Sequence, residues 1–184
     1  MSAGYDEYEV VEMLQSKTTV RQGFAKVVAR YSQPLYWQIR RLVLQHDDAN
    51  DILQNTFLKA WQNIEMFRGE AKLSTWLYRI SLNECLTFLN KEKARAAISI
   101  DDPDASVVHT LESDAYFTGD DVQRRFQAAL ASLPVKQRMV FNLRYYEEMP
   151  YTEMSEIMGT SVGALKADYH HAAKKIKAYL EKND

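Results

Sequence analysis

The side chains of this sequence that could do chemistry are arranged for contact, not for making bonds. Two stretches concentrate them. In "FRGEAKLSTWLYRISLNECL", residues 67–86, a glycine loop, three basic side chains, a tryptophan, a tyrosine and an asparagine lead into one apolar run. In residues 151–179 a short helical segment, a tight turn at Gly159–Thr160–Ser161 and a long helix follow one another, with Lys166, His170, Lys174 and Lys177 sharing the outward side of the long helix. That is the order of a helix-turn-helix. Such a unit would set the start of its second helix, near Gly163, Lys166 and Ala167, against base edges in a major groove and its later lysines against phosphates. A plain helical hairpin with a solvated lysine face fits the spacing equally well.

Nothing in the chain resembles an active site. His46, His109, His170 and His171 show no ligand spacing, and neither a nucleophile-base set nor a glycine-rich phosphate loop is present. We expect no enzymatic activity, no metal and no cofactor. Cys85 is the single cysteine, so no disulfide forms within the chain, and its place in "ISLNECLTFL" predicts an inert buried thiol.

The elements that must position these stretches follow from composition and period. With 184 residues and 46% hydrophobic side chains, the chain can bury one fair core or two small ones. It has no run of about 18 apolar residues, and its acidic start, "MSAGYDEYEVVEML", is unlike a secretory signal. We expect a cytoplasmic protein without direct membrane insertion. The net charge of −2 hides a division. Residues 1–16 hold four acids and no Lys or Arg; residues 17–95 hold thirteen bases and seven acids; residues 96–121 hold seven acids and no Lys or Arg; residues 122–184 hold ten bases and seven acids. Two basic bodies on an acidic connector are therefore expected.

Val20, Phe24, Val27, Val28, Tyr31, Leu35, Ile39, Leu42 and Val43 recur at helical spacing, with Pro34 a candidate kink. Asp47 or Asp48 is placed to cap a second helix carrying Ile52, Leu53, Thr56, Phe57, Ala60, Trp61 and Ile64. Gly69 breaks the pattern, Lys72 or Ser74 reopens it, and Trp76, Leu77, Ile80, Leu82, Leu86 and Leu89 carry a third helix towards Arg95. Residues 96–120, with Pro103 and Gly119, have no period and read as a linker. Beyond it, Val122, Phe126, Ala129, Leu130 and Leu133 mark one helix, Pro134 opens another, and Gly159 ends the short helix before Ser161 caps the last. The reading is an all-α chain of two small helical domains, residues 18–95 and 121–184, joined by a flexible acidic linker, with residues 1–17 as an acidic tail.

"DDANDILQNTFLKAWQNIEMFRGEAKLSTWLYRISLNECL" closely resembles the conserved helical domain of extracytoplasmic function, group-four, sigma factors of bacterial RNA polymerase in the sigma-70 family. "LPVKQRMVFNLRYYEEMPYTEMSEIMGTSVGALKADYHHAAKKIKAYL" resembles the promoter-binding carboxyl-terminal domain of the same family, in the same order. The resemblance implies an alternative sigma factor that binds core polymerase, recognises promoter elements and assists DNA melting; a conventional dimeric helix-turn-helix regulator is the alternative. It implies three partners: core RNA polymerase, through the clamp helices of its largest subunit and its flap; promoter DNA; and an anti-sigma factor.

By the same resemblance, Asp48, Asp51, Asn55, Leu58 and Gln62 would form the polymerase-binding face of the second helix. Phe67, Arg68, Gly69, Glu70, Lys72, Ser74 and Asn83 would capture a flipped base of the minus-ten element and hold the melted strand. These types suit an unstacked base, which needs apolar walls, groups that bond its edges and cations for its phosphates. Trp76 belongs to the apolar stripe and is assigned to the core, while Tyr78 and Arg79 are equally suited to structure and to the strand. Ser161, Gly163, Ala164, Lys166, Ala167, His170, Lys174 and Lys175 would meet the minus-thirty-five element. The linker acids Asp101, Asp102, Asp104, Glu112 and Asp114 would enter the polymerase cleft and RNA exit path. Two residues depart from the family pattern: Asp168 on the recognition helix, and Pro150 before the short helix.

Overall fold

The computed structural model describes residues 5–96 and 121–182, so the linker and its acids lie outside the described residues. Within them every regular element is helical, as the spacing predicts. The first element corrects the expected tail: Glu7–Gln15 is a helix, α1. Asp6 caps it by accepting from the Tyr8 amide at 2.9 Å, and Glu7 and Glu9 sit in the first turn, where the helix dipole favours acids. Val10 and Leu14, one turn apart, are buried. Two core residues in so short a helix leave a period too weak to stand out from the surrounding acids.

Helix α2, Val20–Val43, continues through Pro34 without interruption and buries Val27, Tyr31, Leu35, Ile39 and Leu42. Leu44 then adopts a left-handed conformation, φ 67°, that turns the chain into α3, His46–Gln62. Neither Asp47 nor Asp48 is the cap. Both lie inside the first turn of α3, where they face the positive end of the helix, and Gln45 occupies the cap position. A 3-10 turn at Ile64–Met66 and the loop through Gly69, φ 76°, lead into α4, Leu73–Ala96.

Packed by α2 and α3 and also by helices of the C-terminal half, α4 buries Leu73, Thr75, Leu77, Tyr78, Ser81, Leu82 and Cys85. Burial, and secondarily the charge of Glu84, pushes the Cys85 thiol up to about 12. Cys85 should therefore be silent to Ellman's reagent at pH 8 in the folded chain and titrate fully in denaturant. Equal labelling rates in the two states would contradict this packing.

The C-terminal half comprises α5, Asp121–Ala131; α6, Val135–Tyr145; α7, Tyr151–Met158; and α8, Val162–Lys182. Pro134 and Pro150 stand just before α6 and α7, and their carbonyls accept from Arg138 and Met154, each at 3.0 Å. Proline costs nothing there because its missing N–H would not have been used by the helix. Gly159, φ 62°, closes α7 with its amide on the Ser155 carbonyl. Ala129, Leu130, Leu133, Phe141, Ala172 and Ile176 form a local core, with the Phe141 ring stacked on Tyr169 at 5.4 Å.

The two halves are not independent bodies. Met139, Leu143, Met149, Met154, Ile157 and Leu165 join Tyr78, Leu82 and Cys85 in one continuous apolar cluster. A polar clasp accompanies it. Glu147 accepts from Arg41 Nη1 at 2.7 Å and from the Tyr78 hydroxyl at 3.1 Å, and the Arg41 guanidinium lies 4.3 Å from the centre of the Tyr146 ring. Arg79 Nη2 donates to the Glu156 carbonyl at 2.7 Å, and the Thr75 hydroxyl to Glu153 Oε1 at 3.4 Å.

Candidate nucleic-acid and polymerase-binding surfaces

Between the 3-10 turn and α4 the chain forms a half-open pocket of about 180 Å³, lined by Met66, Phe67, Arg68, Gly69, Glu70, Ala71, Trp76 and Arg79. Four expected residues thus come together, from Phe67 to Glu70. Phe67 differs from expectation in its setting: it is only 6% exposed, and its ring packs against Trp76 at 5.0 Å, tilted by 37°. Trp76, which the apolar stripe assigned to the core, is half-buried and supplies a wall. Its face is set by its place one turn before Arg79, an i to i+3 pair that also brings the guanidinium to the pocket. That helical offset was the available signal for Arg79, whereas Met66 and Ala71 had none.

Lys72 is exposed and Ser74 half-buried beside the pocket, neither lining it. Asn83 is exposed one turn beyond Arg79, outside the pocket lining. Tyr78 is buried and committed to the clasp, and burial, then the Glu147 charge, raises its pKa above the ordinary phenol value. Chemically the pocket offers aromatic surface, a carboxylate and two guanidinium groups, a set suited to a planar base attached to phosphates.

Along α3, Asp51, Asn55, Leu58 and Gln62 are exposed on one side, and Asp48 is partly covered. Burial and the neighbouring acids Glu92, Asp51 and Asp47 raise the Asp48 pKa. Leu58 is 54% exposed, and Trp61, expected in the core, is 36% exposed while its ring meets Phe24 at 5.1 Å. An apolar centre ringed by polar groups is the make-up of a protein-binding patch.

On α8 the Ser161 hydroxyl accepts from the Ala164 amide at 3.3 Å, the expected cap. Ser161, Gly163, Ala164, Lys166, Ala167, His170, Lys174 and Lys175 are all exposed, while Leu165, Ala172 and Ile176 are buried. Open space surrounds the Gly163 Cα hydrogens, so backbone can approach a ligand closely there. Asp168 does not share this face. Its side chain is 20% exposed, with Oδ2 3.1 Å from Lys136 Nζ on α6 in an ion pair outside hydrogen-bonding geometry.

Among the described residues no helix is long and apolar enough to cross a membrane. The family descriptions "Sigma-70 region 2" and "Sigma-70, region 4" match residues 27–95 and 123–176, respectively. The chain is 28% identical to the ECF RNA polymerase sigma factor SigW of Bacillus subtilis, over 90% of this chain and 93% of that protein. It is 27% identical to the ECF RNA polymerase sigma-E factor of Escherichia coli, over 96% of this chain and 95% of that protein. In fold it matches CnrH, solved in complex with the cytosolic domain of CnrY, with a TM-score of 0.71 at 22% identity over 97% of this chain and 99% of that one. It also matches RpoE of Bartonella quintana, solved with the anti-sigma factor NepR, with a TM-score of 0.68 at 23% identity over 87% of this chain and 98% of that one. Two sigma-70 regions in order, near-full-length likeness to extracytoplasmic function factors and a shared fold give one conclusion: the chain belongs to the sigma-70 family of RNA polymerase sigma factors, in its extracytoplasmic function group.

Proposed function

We propose that the chain acts in the cytoplasm as an alternative sigma factor, supplying promoter specificity and strand capture to core RNA polymerase while carrying out no chemistry itself. The single observation that carries the strand-capture assignment is the pocket between Met66 and Arg79. At about 180 Å³ it exceeds the roughly 150 Å³ in which an apolar cavity holds benzene, and it adds the charged groups a nucleotide needs. We assign residues 18–95, extended by α1, to polymerase docking and the minus-ten element, residues 96–120 to the linker, and residues 121–184 to the minus-thirty-five element. The α3 face around Leu58 meets the clamp helices of the largest subunit, and the C-terminal half meets the flap. One solved neighbour in fold was captured with the anti-sigma factor NepR and the other with the cytosolic domain of CnrY, which supports an anti-sigma factor as a further partner here.

Promoter engagement requires the halves to part. Arg79 cannot give its guanidinium fully to a strand while it holds the Glu156 carbonyl, and the acidic side chains Glu147 and Glu153 lie on the same flank of α4. Run-off transcription tests the assignment: core polymerase with this chain should give discrete products from genomic promoter fragments that core alone does not. Products identical with and without the chain would refute it.

The lysines of α8 divide by role. Lys174→Gln and Lys175→Gln should each flatten the salt dependence of holoenzyme binding to promoter DNA by about one unit of slope. Lys166→Gln should instead relax preference among minus-thirty-five sequences. Fluorescence anisotropy between 50 and 200 mM salt, about the range over which such slopes are read, checks both. Unchanged slopes and preferences for all three would place this face in solvent.

A further inference from the structure

We propose that α1 is a positioning element for the strand pocket and that Glu7 is the residue through which it acts, an inference that rests on the pocket's reading as a strand site. Glu7, Val11 and Gln15 recur every fourth residue on one side of α1. They touch the loop that walls the pocket at two points and its junction with α4 at a third. Glu7 Oε1 accepts from the Leu73 amide, the first of α4, at 3.0 Å. Gln15 Nε2 donates to the Arg68 carbonyl at 3.4 Å. Between them, Val11 Cγ1 stands 3.3 Å from where a side chain at Gly69 would begin.

The helix making these contacts is itself fixed elsewhere. Val10 and Leu14 are buried in the main core, the Thr19 hydroxyl donates to the Met13 carbonyl at 3.0 Å, and Lys26 pairs with Glu9 at 2.8 Å. Gly23 of α2 admits α1 at close range, since a Cβ there would lie 2.8 Å from Met13 Cβ. Residues 68–71 lie outside the helices, with backbone bonds at Phe67 and Lys72 only to the flanking elements, and Gly69 needs its left-handed φ of 76°. Bonds from a fixed bar at Arg68 and Leu73 therefore set how far the loop stands from Trp76 and Arg79. The Glu7 carboxylate suits this task because it meets an unpaired amide at the positive end of α4.

A residue needed only for folding would alter core affinity and strand affinity alike, whereas a positioning residue alters strand affinity alone. The test uses the full chain bound to core polymerase. The probe is a fluorescein-labelled non-template strand from a promoter that the wild-type holoenzyme transcribes. Glu7→Ala should weaken strand binding about tenfold, the scale of one lost hydrogen bond to a charged group, with affinity for core unchanged. Glu7→Gln, which keeps an acceptor oxygen, should stay within about twofold of wild type. Gly23→Ala, which pushes α1 outward without touching Glu7 or the loop, should reproduce the loss. Wild-type strand affinity in both Glu7→Ala and Gly23→Ala overturns the proposal, as does an equal loss of core affinity in Glu7→Ala. Failure of the wild-type holoenzyme to transcribe or to bind strand overturns instead the reading of the pocket.

Discussion

Leu58→Glu is expected to lower affinity for core polymerase about a hundredfold and to abolish run-off transcription at ordinary concentrations. Leu58 is 54% exposed on α3 and belongs to no core cluster, so the change leaves folding within about 0.5 kcal/mol of wild type. Its effect appears only at an interface. An apolar anchor at the centre of such a patch contributes about 2 kcal/mol or more, and a carboxylate put in its place must also be desolvated. A total near 2.7 kcal/mol corresponds to about a hundredfold. Asp51→Arg, on the same exposed side, should act in the same direction with smaller effect, because rim charges are partly screened. Fluorescence titration of labelled chain against core measures both, with thermal melting as the control. Unchanged core affinity in both variants would return this face to solvent.

Glu147→Ala is expected to loosen the two halves without unfolding either. Glu147 receives both Arg41 and the Tyr78 hydroxyl, and its loss leaves a buried phenol and a largely buried guanidinium without their carboxylate. Breaking a buried pair by removing one partner costs about 3–5 kcal/mol. Here the side chains are 20% and 19% exposed and Arg41 keeps the Tyr146 ring, so about 2 kcal/mol is the better figure, a shift of about thirtyfold towards the open form. The seam is already poorly satisfied, since Arg138 Nε and Asn142 Oδ1 are buried with no partner. Burial also lowers the Arg138 pKa, desolvation first. Small-angle scattering should show a larger radius of gyration, and hydrogen exchange should quicken along α7 while α2 and α3 stay protected. A variant as compact as wild type, with the same exchange, would show that the apolar cluster alone holds the halves together.

Helices α2 to α8 were legible because each carries a sustained period of three and four, bounded by glycine, proline or acids. The caps at Gly159 and Ser161 follow from local chemistry alone and appear in place. What could not be read depends on contacts between distant segments. α1 has little signature in sequence because only Val10 and Leu14 mark its inward side. The seam was invisible because Tyr78, Leu82 and Met154 look like ordinary core positions of their own helices, and nothing local says that they face one another. The settings of Trp76 and Phe67 were hidden for the same reason: their apolar character was plain, but that Phe67 is buried and that both rings line the pocket depends on the path of the loop. Asp168 departs from the family pattern in sequence, and its ion pair with Lys136 of α6 depends on helix packing that no local feature shows.

The central claim is that polymerase docking and strand capture sit on separate surfaces of one sigma factor, and permanganate reactivity of promoter thymines tests it most directly. Arg68 and Lys72 are exposed, so Arg68→Gln/Lys72→Gln leaves the core of the fold untouched while removing two cations from the pocket and its edge. With core polymerase saturated by each chain, the wild type should make thymines near the minus-ten element reactive, and the double variant should reduce that reactivity about tenfold or more while binding core with wild-type affinity. Full thymine reactivity in the double variant, or loss of core binding in step with loss of opening, would contradict the account.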